Sequence, residues 1–248
     1  MVNLKGLASY CQDCGACAAR LSGSSVSAMD PGMVSNIVDE VIRSIQKDVT
    51  PGTETESMDI PLGVSNRHIH LTSATLESLF GPGAVLEKYR QLYQPEDFAA
   101  RQTVTIIGSK MRAIERVRIL GPLRDYDQVE ISTTDAITLG IKPPVRNSGD
   151  LTGASPLTLV GPAGSVYLTR CAIIASRHIH MSDTDASRLG VKTGDLCRVR
   201  LKGDKPTIFE NVLVRTHKSW KLQLHLDTDE ANATGSLCGT RAEFMGKM

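Results

Sequence analysis

Arg67-His68-Ile69-His70 recurs unchanged as Arg177-His178-Ile179-His180, and the two copies hold four of the six histidines in the chain. In each copy the histidines sit at i and i+2. Alternate side chains of a β-strand point to the same face. Each copy therefore presents two imidazoles side by side, with the isoleucine turned the other way. Neutral imidazole is the commonest metal ligand. The duplication predicts two halves of one metal site.

Further ligands are expected on neighbouring strands. His225 alternates with apolar residues in Leu222-Gln223-Leu224-His225-Leu226, so it can face a site while Leu224 and Leu226 face a core. Glu130 lies between Val129 and Ile131. A carboxylate on a buried strand is costly unless it is paired or metal-bound, and the alternative is a surface glutamate on an edge strand. His217, between Thr216 and Lys218, reads as a surface turn residue. The remaining five histidines and one carboxylate exceed the needs of one catalytic ion, which takes about three protein ligands plus water. Six donors fit two ions with open positions left over. Nitrogen and oxygen donors suit zinc, and also cobalt, nickel or iron. Arg124 follows a Gly-Pro turn in Arg118-Ile119-Leu120-Gly121-Pro122-Leu123-Arg124 and can reach over such a site. Arginine is suited to bidentate phosphate contact.

The elements that must hold these residues are mostly short strands. β-rich runs occur at 103–107, 117–120, 129–132, 157–160, 166–168, 196–201, 212–215 and 222–226, punctuated by Gly, Pro, Asn and Asp. Short helices are predicted at 73–80, 95–100, 135–139 and 183–189. A second echo links Asp135-Ala136-Ile137-Thr138-Leu139-Gly140-Ile141-Lys142 with Asp185-Ala186-Ser187-Arg188-Leu189-Gly190-Val191-Lys192. The chain after about residue 60 thus reads as two related halves. The expected fold is mainly β: two tandem small β-barrels with short helical caps, preceded by an N-terminal amphipathic helix. The expected division is 1–59, 60–145 and 146–248.

That helix has Asp30 as N-cap and Pro31 at its first position. Met33, Val34, Ile37, Val38, Val41, Ile42 and Ile45 share one face, and Asp39, Glu40, Arg43, Ser44 and Lys47 the other. A polar linker over 48–59 follows, which predicts a tethered helix that docks on another body. Before it, Cys11, Cys14 and Cys17 carry a spacing seen in iron–sulfur ligation, without a fourth local ligand. The other reading is a disordered or redox-active tail. Cys171, Cys197 and Cys238 read as ordinary thiols.

Composition narrows the function. Aromatics are only 4% of the chain, so its cores must be aliphatic. A formal net charge of +1 argues against a broad nucleic-acid surface, though not against a local anion pocket. No apolar run approaches the ~18 residues of a membrane span, and the first residues lack the pattern of a secretory signal. A cytosolic setting with reduced thiols is the expectation.

Several ordered motifs together resemble one family. They are the paired Arg-His-Ile-His segments, Val117-Arg118-Ile119-Leu120-Gly121-Pro122-Leu123-Arg124, Gln128-Val129-Glu130-Ile131-Ser132 and His225-Leu226-Asp227-Thr228-Asp229-Glu230-Ala231-Asn232-Ala233. Over about residues 60–245 the chain resembles the PduL-type phosphate propanoyltransferases of bacterial microcompartments. The resemblance implies a phosphotransacylase with two β-barrels and two zinc ions, acting on acyl-CoA and phosphate. It implies His68, His70, Glu130, His178, His180 and His225 as metal ligands and Arg124 as the phosphate-contacting arginine. Gln128, Ser148 and Arg215 are further candidates for substrate contact. The helix at 31–47 resembles the peptides that direct cargo into microcompartments, so shell or cargo proteins are expected partners. A homodimer is also compatible with the short strand edges. The cysteine segment departs from the family pattern. The rival readings are a dinuclear hydrolase or thioesterase, a non-catalytic metal-binding cargo protein, and an electron carrier built on the cysteines.

Overall fold

The structure, a computed structural model, describes residues 59–248 and Glu40. Apart from Glu40 and Asp59, the amphipathic helix and the linker lie outside the described residues, as do Cys11, Cys14 and Cys17. In chain order the elements begin β1 (Asp59–Ser65), β2 (His68–His70), α1 (Ser73–Phe80), β3 (Lys88–Gln91), β4 (Phe98–Ile107), β5 (Ala113–Gly121), β6 (Gln128–Glu130), α2 (Thr133–Leu139) and β7 (Val145–Arg146). They continue with β8 (Ser155–Val160), β9 (Ser165–Ala175), β10 (His178–Met181), α3 (Asp183–Leu189), β11 (Leu196–Leu201), β12 (Thr207–Thr216), β13 (Gln223–Asp227), α4 (Thr228–Thr234) and β14 (Arg241–Lys247).

The strands close into two six-stranded barrels. The first runs β4-β5-β2-β6-β9-β8 and returns to β4; β3 and β7 extend it beside β4 and β9. The second runs β1-β13-β10-β12-β11-β14 and returns to β1. Each has its own aliphatic core. Ile69, Leu76, Ile106, Ile119, Leu139 and Leu159 are fully buried in the first, and Ile60, Ile179, Val199, Val214 and Leu224 in the second. The scarcity of aromatic residues is therefore met by branched aliphatic packing.

The two rings have the same pattern of strand directions. β2 pairs parallel to β5 and antiparallel to β6, as β10 pairs parallel to β12 and antiparallel to β13. β9 pairs parallel to β6 and antiparallel to β8, as β1 pairs parallel to β13 and antiparallel to β14. Each strand that precedes an Arg-His-Ile-His copy thus completes the other copy's barrel. This corrects the division expected at 145/146. β8 and β9 close the first barrel although they follow that point, and β1 belongs to the second although it precedes everything else described. The pairing that assigns β1 joins Leu62 to Leu224 and leaves no local signal.

A single local device recurs four times: a short strand, a capping side chain, then a helix of two turns ending on glycine. The caps are Thr72 for α1, Ser132 for α2, Ser182 for α3 and Asp227 for α4, each accepting from a backbone N–H in the first turn. α2 and α4 carry full capping boxes, with Asp135 and Glu230 as the reciprocal acids. Gly140, Gly190 and Gly235 close their helices with φ of 72, 66 and 66°, a conformation glycine adopts without steric cost. The echo between 135–142 and 185–192 is two copies of this device, one in each barrel.

The helix expected at 95–100 is not formed. Pro95-Glu96-Asp97 has the composition of a helix start, but Phe98 already enters β4 and pairs with Gly121. The preceding turn is held instead by Gln91, whose Nε2 donates to the carbonyls of Gln94, Pro95 and Asp97.

Candidate functional site

Each Arg-His-Ile-His copy divides its four residues among separate tasks. The isoleucine is fully buried in the barrel core. The arginine reaches a capping-box acid: Arg67 contacts Asp135 at 2.7 Å, and Arg177 contacts Glu230 at 2.7 Å. The histidines face the partner antiparallel strand. His68 lies opposite Glu130 and His70 opposite Gln128; His178 lies opposite His225 and His180 opposite Gln223. Both triads therefore arise from the same register on equivalent strand pairs.

His68, His70 and Glu130 form one group and His178, His180 and His225 a second. The candidate ligand atoms within each lie within 4.8 Å of one another. The tautomers are set by hydrogen bonds behind the rings. His68 Nδ1 is 2.8 Å from Asn66 O, and His178 Nδ1 is 2.8 Å from Ser176 O. Nδ1–H donates in both, which leaves the Nε2 lone pairs free. His225 Nε2 pairs with Gln223 Oε1 at 2.8 Å, leaving its Nδ1 as the acceptor. Gly63 makes room for that glutamine, since a Cβ there would meet its Cδ and Nε2 at 2.7 Å.

The residues fit metal ions. His70 Nδ1 and both ring nitrogens of His180 are buried without a hydrogen-bond partner. Leaving such atoms unsatisfied costs about 1–3 kcal/mol each, a cost that metal coordination relieves. Burial holds His70, His180 and His225 well below the usual imidazole range, reinforced by neighbouring histidines and by Arg124 or Arg215. His178 is also lowered, by burial against the opposing bond to Ser176. For Glu130, burial acts upward but is outweighed by His68, Ser148, His178 and Arg124, so the carboxyl sits below its ordinary value. His70, His178, His180 and His225 are thus held toward the neutral imidazole and Glu130 toward the carboxylate, the forms that bind a divalent cation.

Both groups line one cavity of about 710 Å³, with Arg124, Ser148 and Arg215. That volume suits a small-molecule ligand. Arg124 is placed by its loop: its N–H donates to Leu71 O, and Asp127 binds Thr72 N–H and Thr75 Oγ1 at the start of α1. Its guanidinium reaches Tyr126 Oη at 2.8 Å and Ser148 Oγ at 3.4 Å. Arg215 sits beside His180 in register, on β12. Gln128 takes a different place from the one expected. It is fully buried, and its amide donates to Glu130 and Ser148 and accepts from Gly149 N–H. It aims the carboxylate and does not line the cavity.

Trp220 was not singled out by sequence. It stacks on His180 with ring centroids 4.2 Å apart and planes 15° apart, and Arg215 lies 5.4 Å from its ring. His217, near Trp220, does not line the cavity; its Nδ1 meets Ser219 Oγ.

A sequence model described as phosphate propanoyltransferase matches residues 61–236. The chain belongs to the phosphate propanoyltransferase family. Relatives of that name include one from Lachnoclostridium phytofermentans, 53% identical over 180 residues that cover 73% of this chain and 84% of the relative. Another, from Rhodobacter capsulatus, is 45% identical over 81% of this chain and 93% of its own length. A third, from Thermotoga maritima, is 51% identical over 70% and 83%. A member of the phosphate propanoyltransferase family is an acyltransferase, and this chain is an enzyme of that class. No helix among the described residues is long and apolar enough to cross a membrane.

Proposed function

We propose that the chain is a metal-dependent phosphotransacylase that interconverts acyl-CoA plus phosphate with acyl phosphate plus CoA. The observation that carries this reading is the opening of two histidine-rich triads and two arginines onto one cavity. His68, His70 and Glu130 would hold one zinc ion, and His178, His180 and His225 a second. Bound there, the metal supplies Lewis acidity for a thioester carbonyl and charge for an anion.

The protein's own groups do the rest. A phosphate oxygen forms a bond to the thioester carbon, the C–S bond breaks, and CoA leaves as a thiolate that takes up a proton. Arg124 and Arg215 bind the phosphate and reduce charge repulsion as it approaches the acyl group. Ser148 accepts from Arg124 and Gln128 and so holds the Arg124 guanidinium toward the same anion. Propionyl- and acetyl-CoA both suit this chemistry, because one methylene changes pocket binding by only ~1–3 kcal/mol. The proposed setting is a microcompartment in the cytoplasm, reached through the helix at 31–47 and shell or cargo partners, with a homodimer as a possible assembly.

CoA release from propionyl-CoA tests the proposal, with and without phosphate and before and after chelation. Release that needs both phosphate and metal, and falls in His180→Ala, is the expected result. Equal release without phosphate would make the protein a thioesterase.

A further inference from the structure

Of the three histidines in the second group, His180 lacks a hydrogen bond at either ring nitrogen. His178 is fixed through Ser176 O and His225 through Gln223. Its orientation comes instead from the Trp220 ring stacked on it. Trp220 lies in the turn between β12 and β13, which belongs to the second barrel. The turn is gripped from the first barrel by the loop between β3 and β4.

Gln94 of that loop is buried, and its amide pairs with both backbone groups of Lys221. Nε2–H donates to Lys221 O at 3.0 Å, and Lys221 N–H donates to Oε1 at 3.0 Å. Two residues on, Glu96 accepts from Ser219 Oγ at 3.0 Å. The residues on either side of Trp220 are therefore both tied to one loop. That loop is stiffened by the three bonds from Gln91.

We infer that Gln94 and Trp220 are positioning residues for the His178, His180 and His225 group, with the indole doing for His180 what a hydrogen bond does for the other two ligands. This rests on the metal reading above. The consequence is that a loop of the first barrel sets the metal affinity of the second barrel's triad. Among the described residues, the His68, His70 and Glu130 group makes no hydrogen bond or ring contact with that loop or with Trp220, and its affinity is independent of Gln94.

Cobalt(II) is the probe, added to metal-stripped full-length protein and followed by visible absorption and stoichiometry. Trp220 is the only tryptophan in the chain, so its emission reports directly on filling of the adjacent group. The wild type takes up two equivalents, one of which quenches Trp220. Gln94→Met and Trp220→Ala each weaken one equivalent 10–100-fold, the range for loss of an outer support, and leave the other unchanged. Trp220→Phe, which keeps a stacking ring, recovers most of the loss. Two equivalents as tight as wild type in Gln94→Met and Trp220→Ala would overturn the inference, as would equal weakening of both. A wild type that takes up no cobalt overturns the metal reading itself, a distinct result. Should Gln94→Met fail to fold, the comparison of Trp220→Ala with Trp220→Phe decides by the same criteria.

Discussion

Arg67 holds the carboxylate of Asp135 through two nitrogens, at 2.7 and 2.9 Å, so the residue that opens the first His-Ile-His strand is bolted to the helix that follows Glu130. The contact fixes β2 against α2 and with them both edges of the first triad. Arg67→Ala leaves the buried Asp135 with only its capping bonds. Its expected cost is about 1–3 kcal/mol, read as a lower urea midpoint with an unchanged slope. A midpoint equal to wild type would show that the capping bonds alone suffice.

Gln128→Leu keeps the volume of the side chain and removes its amide. Glu130 then loses the donor that aims it, and Ser148 and Gly149 each lose a partner. Metal binding by the first triad is expected to weaken 10–100-fold while the second triad is unaffected. A two-site metal titration reads both values at once.

The histidines set the acid limit of the metal-free protein. His70, His178, His180 and His225 all titrate below the ordinary value of 6.5 when folded. The unfolded chain therefore binds more protons as pH drops beneath that value, and stability falls with falling pH. Each such group contributes up to about 1.4 kcal/mol per pH unit. Denaturant midpoints of stripped protein should be flat above pH 7 and decline steadily below 6.5. Metal loading raises the midpoints at every pH and moves acid unfolding to lower pH, while the decline still begins near 6.5, where the unfolded imidazoles take up protons.

Gly63→Ala places a methyl group where Gln223 now lies. The glutamine must swing away, and His225 loses the bond that sets its tautomer. Crowding of this kind costs about 1–3 kcal/mol. The expected result is a weakened second triad with intact binding at the first, measured by the same titration.

The sequence exposes what is local. The period of two in His-Ile-His and in Leu222–Leu226 is enough to set each histidine pair on one strand face, and alternation located most of the barrel strands. The helix at 228–234 also carries a local signature, Asp227 with Glu230 and the closing Gly235. Nothing in the neighbourhood of Trp220 announces its stack on His180, because that contact depends on a loop more than a hundred residues away. Gln128, a candidate for substrate contact from sequence, shares a strand face with Glu130. Only the packing of Ser148 and Gly149 against it shows that the face is already filled.

The exchange of β1 and β9 between barrels has a consequence for synthesis. β1 leaves the ribosome well before its neighbours β13 and β14, since Leu62 pairs with Leu224. At 5–20 residues per second that is a wait of roughly 10–30 s with an unpaired strand edge. During that interval the first barrel can already close, because β9 arrives early. The second is then built around a strand made at the outset, so its histidine triad is the last part of the molecule to be assembled. A destabilising change in β14 should therefore strand the nascent chain with one closed barrel and one open sheet.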